Sequence, residues 1–127
     1  MNNNDLNKKL LQLNIEDFIW IIYLGIIALS FYSNHLERNY FLNQNCEDKE
    51  KYQQNMIIIF SILILVYLYF LKDSYTDFKN LTSNDSEKKR KLVTLSFIAS
   101  LLIAISGFIF LYIAYVDDEL QVELAFN

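Results

Sequence analysis

The sequence predicts an all-α integral membrane protein: three transmembrane helices packed as a small bundle, preceded by a short amphipathic N-terminal segment. Three observations lead there. The 127 residues are 54% hydrophobic and contain no proline. The apolar residues gather into three blocks, with the charges almost wholly between them. Each block is apolar on every side, so none carries the polar stripe of a surface helix in a soluble protein. A chain of this length cannot enclose three such helices. It reads as one domain, residues 1–127.

The first block, FIWIIYLGIIALSFY, runs from Phe18 to Tyr32. The second, MIIIFSILILVYLYFL, runs from Met56 to Leu71, and the third from Leu92 to Val116. As helices they are about 22, 24 and 37 Å long, against a hydrocarbon core of about 30 Å. The third crosses with length to spare. The first two need their flanks, which gives expected spans of 15–33, 55–72 and 92–116. Trp20, Tyr23, Tyr67, Tyr69 and Tyr75 are amphipathic rings suited to headgroup depth, and Lys72 can snorkel outward. Lys8 and Lys9 ahead of the first block, with Ala28-Leu29-Ser30 near its end, mimic a cleaved signal peptide. Glu16 and Asp17 sit where such a signal carries positive charge, so the block reads as a retained span.

Capping residues mark the expected helix starts. Asn14 with Asp17 reads as a cap before the first span, and Asn84 with Glu87 as a cap before the third. The acids also suit the positive end of a helix dipole. Leu6, Leu10 and Leu13 share one face ahead of Asn14, the pattern of a segment lying on a membrane surface. Polar loops are expected at 34–54 and 73–91, the first of them able to extend its flanking helices. An acidic tail follows at 117–127. Its Leu120, Val122, Leu124 and Phe126 alternate, a strand signal that could add an edge strand to a partner, although the expected reading is a short terminal segment that is mobile or lies on the surface.

Charge sets the expected threading. Lys8, Lys9, Lys72, Lys79, Lys88, Lys89, Arg90 and Lys91 fall on one side of a three-span chain, and Arg38, Lys49 and Lys51 on the other. Lys and Arg are in excess in cytoplasmic loops. The N-terminus is therefore expected in the cytoplasm, the C-terminus outside, and the plasma membrane is the expected location. Lys88, Lys89, Arg90 and Lys91 together can also bind anionic lipid. Two glycosylation-type sequons, Asn80-Leu81-Thr82 and Asn84-Asp85-Ser86, fall on the expected cytoplasmic side and would go unused there.

Small residues mark where helices approach closely in lipid. Ser96, Ser100, Ala104, Gly107 and Ala114 fall in one narrow sector of the third helix. Gly25 and Ala28 form a smaller patch on the first. These are the expected packing faces, either within the bundle or toward a partner.

Chemistry is sparse. His35 is the single histidine and Cys46 the single cysteine, which leaves no paired ligand motif and no internal disulfide. There is no glycine-rich phosphate loop and no nucleophile elbow. The cores of the three blocks carry no ionisable residue, the usual pointer to ion coupling; Glu16 and Asp17 come nearest. The expectation is a non-enzymatic accessory or interaction subunit without catalytic residue, metal or cofactor. Its partners would be the lipid bilayer and another membrane protein or copies of itself, and not nucleic acid. The alternative is a subunit of a small oligomeric channel or transporter, with Ser96, Ser100 and Ser106 as weakly polar lining.

Overall fold

The computed structural model describes residues 2–122 and 124. They form three α-helices: α1 Asn3–Asn43, α2 Cys46–Lys79 and α3 Glu87–Val116. At about 1.5 Å per residue these are about 61, 51 and 45 Å long. All three are long and apolar enough to cross a membrane. With no proline to interrupt it, helix runs through most of both expected polar loops.

The helix starts lie elsewhere than the sequence suggests. Asn2 caps α1, its Oδ1 accepting from the Asp5 amide at 2.8 Å. Asn14 and Asp17 lie inside the same helix, so their reading as a start is corrected: nothing breaks the chain before them. The N-terminal segment continues α1, with Leu6, Leu10 and Leu13 exposed. Gln44 ends the helix in the left-handed region (φ 52°). Asn45 then caps α2, accepting from the Glu47 and Asp48 amides, so residues 44 and 45 make a tight helical hairpin. For α3 the cap is Ser86, whose Oγ accepts from the Lys89 amide at 3.1 Å. Asn84 is two residues too early, and Glu87 opens the first turn, where an acid suits the dipole.

The helices are arranged with α2 in the middle. Both α1 and α3 pack along it, but no Cα of α1 comes within 8 Å of a Cα of α3. Burial follows: 33% of the most apolar stretch of α2 is buried, against 11% in α1 and 17% in α3. Met56, Ile59, Phe60 and Leu63 are the heart of the core. The expected compact bundle is therefore open along one side.

Two side-chain contacts set the antiparallel register. Gln12 Nε2 donates to Asp73 Oδ2 at 2.8 Å, tying α1 to α2. The Ser74 and Ser100 hydroxyls are 2.9 Å apart, tying α2 to α3. At the opposite end Gln53 Nε2 donates to the Ala114 and Tyr115 carbonyls. Phe60 stacks on Phe110 between these points.

The described part of the tail forms a turn and not a strand, and with Leu124 buried it is not simply a surface segment. The Asp117 carboxylate accepts from the Gln121 and Val122 amides at 3.0 and 2.8 Å. Leu120 takes a positive φ of 54°. This returns Leu124 to the core beside Tyr52 and Met56. Local carboxylate bonds and burial of a leucine outweigh a weak period-two preference. Phe126 lies outside the described residues.

Candidate functional site: a groove between α1 and α3

Because α1 and α3 stand apart on α2, a groove opens between them. Its half toward the C-terminal tail is a cavity of about 570 Å³ on the α1–α2 face, walled by Trp20, Tyr23, Ile27, Ser30 and Asn34 of α1 and by Leu63 and Tyr67 of α2, with no α3 residue in its lining among the described residues. Its half toward the lysine-rich end is a cavity of about 320 Å³. Tyr23 and Tyr67 line both. Asn34 is eleven residues from Tyr23, and Asp77 ten from Tyr67. The combined groove is thus about 30 Å long, the thickness of a hydrocarbon core.

The two halves differ in chemistry. The first is apolar except for Ser30, Asn34 and the tyrosines. The second is lined by Asp73, Ser74 and Asp77 of α2 and by Ser96 and Ser100 of α3. Asp73 holds Gln12, and the charges of Glu16, Asp77 and Lys9 all act on it. Among the described residues the ion pairs are Lys51–Glu47 and Lys89–Asp85, so neither Asp73 nor Asp77 has a paired cation. Ser100 lies eight residues after Leu92, where the apolar run of α3 begins. Its bond to Ser74 therefore holds Asp73 beside a stretch of α3 about 12 Å inside that run.

The sequence missed these two acids, since they follow Lys72 and read as loop. What could be read was only that two apolar spans joined by a loop run antiparallel; that 73–77 lie beside 96–100 follows from the register set by the Ser74–Ser100 contact.

The small residues separate into two groups. Ala104, Gly107 and Ala114 are buried, and Gly107 lies directly against Tyr67 and Ile64 of α2. Ser100 is half-buried in its bond to Ser74, while Ser96 is exposed on the groove wall. On α1 the space around Gly25 is open and Ala28 is exposed. With Ile22, Leu29, Tyr32 and Ile62 they line a separate shallow hollow of about 570 Å³.

The remaining sequence candidates are at the surface. Lys88, Lys89, Arg90 and Lys91 are exposed in the first turns of α3, and Lys89 bonds to Asp85 at 3.0 Å. The Thr82 amide and then Lys89 hold the Asp85 carboxyl below the usual aspartate value. Glu47 raises Lys51 in the same way. Glu16 is half-buried and Asp17 exposed along α1. His35 is exposed beside Asn39, and Cys46 is exposed at the start of α2. Among the described residues no three His, Cys, Asp or Glu side chains are grouped as metal ligands.

No protein-family model matches the chain. No curated protein and no solved structure is significantly similar to it.

Proposed function

We propose that the chain is an integral membrane protein of three spans, acting as a non-enzymatic accessory or interaction subunit that receives a further transmembrane helix between α1 and α3. One observation carries this reading: α1 and α3 make no backbone approach to each other, and the two cavities that meet at Tyr23 and Tyr67, one walled by α1 and α2 and the other reaching α3, together run about as far as a bilayer core is thick. Helices in lipid associate through close packing. Four antiparallel helices around a shared core is a common closed arrangement, and this chain supplies three of them. Eight Lys and Arg at one end against three at the other support a cytoplasmic N-terminus, an external C-terminus and the plasma membrane.

The test is isolation in mild detergent from the native membrane, for the wild type and for Ser30→Phe, which fills the groove. A stoichiometric membrane partner retained by the wild type and lost from the variant supports the reading. Retention by both places the contact elsewhere and rejects it. Cys46 serves as a native topology reporter. Reaction with an impermeant thiol reagent on intact cells supports the threading, and reaction only after permeabilisation inverts it.

The polar half of the groove favours a second reading, a subunit of a small oligomeric channel or transporter. Asp73, Asp77 and three serines would then line a path for cations or a polar solute. Purified protein that carries ions across liposomes under a gradient favours this reading over the first.

A further inference from the structure

We infer that the helix received by the groove carries a cationic residue, Arg or Lys, at the end that meets Asp73 and Asp77. This rests on the interaction reading above and specifies its partner's chemistry. The groove is apolar along its first half, which suits the aliphatic side chains of a membrane helix. At its other end two carboxylates one helical turn apart face the same cavity, and neither is ion-paired among the described residues. The Ser74–Ser100 bond keeps the half-buried Asp73 against the apolar run of α3, with Asp77 exposed one turn nearer the run's start; with the groove filled inside a bilayer, an unpaired carboxylate there would be costly. Nearby charge worsens the imbalance. Glu16 adds a third negative charge near Asp73, which Lys9 and the Gln12 hydrogen bond oppose. A cation on the incoming helix would restore the balance. Under the threading proposed above this end is cytoplasmic, where transmembrane segments carry their Lys and Arg.

The single tryptophan makes the test direct, because Trp20 lines the groove and is 65% exposed. The full chain is reconstituted in lipid nanodiscs with a synthetic Leu/Ala transmembrane peptide carrying a dansyl acceptor at its centre. One peptide has Arg at both ends, so that insertion direction does not matter; the other has Gln. Energy transfer from Trp20 reads binding. The expected result is about tenfold tighter binding of the Arg peptide, with the difference abolished in Asp73→Asn/Asp77→Asn. That double variant keeps side-chain volume, and circular dichroism checks its helices. Equal binding of both peptides, blocked by Ser30→Phe, overturns the charge inference and leaves the interaction reading standing. Transfer no greater than for a protein-free Trp peptide control overturns both. Transfer that falls as protein density rises points to a second copy of this chain as the occupant, and also overturns the inference.

Discussion

Gly107 lies under the ring of Tyr67: a Cβ built on the glycine would stand 3.0 Å from Tyr67 Cδ2 and 3.2 Å from Ile64 Cγ1. The ring rests where a side chain would otherwise be, and this contact lets α3 approach α2. Gly107→Leu is therefore expected to overpack the interface and cost about 2–3 kcal/mol. Gly107→Ala adds one methyl, and its better helix propensity, about 1 kcal/mol, offsets part of the strain. Unfolding in mixed micelles should rank wild type, Ala and Leu in that order. A Leu variant as stable as wild type would mean that α3 does not pack on α2 through this face.

The Ser74–Ser100 pair fixes the register at the lysine-rich end. A double-mutant cycle with Ser74→Ala and Ser100→Ala should give a coupling of about 0.6 kcal/mol, the usual size for a polar contact between membrane helices. Zero coupling would remove the register contact that sets Asp73 beside the apolar run of α3.

Asp85 is held below its ordinary value by the Thr82 amide and Lys89. A carboxyl depressed in the folded state contributes stability above its unfolded value, about 3.9. That contribution is lost as pH falls through the lower folded value. The group is exposed, so the effect should be local, a loosening of the turn before α3 at a pH below the ordinary aspartate range. The Thr82 amide chemical shift should titrate with a midpoint below that of a free aspartate, and Asp85→Asn should abolish the titration.

The Asp117 carboxylate accepts two tail amides. Asp117→Ala removes both acceptors and frees Leu124 from the core. Hydrogen exchange at Gln121 and Val122 should accelerate about tenfold, equivalent to about 1.4 kcal/mol, with the exchange of α2 unchanged. Slow exchange in the variant would mean that burial of Leu124 alone holds the tail.

Three helices, their approximate centres and the lysine-rich end were legible in the sequence, because uniform apolar blocks separated by clustered charges mark helices long and apolar enough to cross a membrane. The extent of the helices was not. Asn14 and Asn84 look like caps, yet Asn2 and Ser86 hold those positions, since a cap signal has meaning only where the helix begins. Gly107 and Ala104 could be named as a packing face from spacing alone, and the structure sets Gly107 against Tyr67. Gly25 belonged to the same prediction, and around it the space is open. A helix that is apolar all round has no polar stripe to reveal which side packs against the other helices. The central position of α2, the groove beside it and the juxtaposition of Asp73 and Asp77 with Ser96 and Ser100 were therefore settled by side-chain shape and helix register, which exist only once the helices have packed.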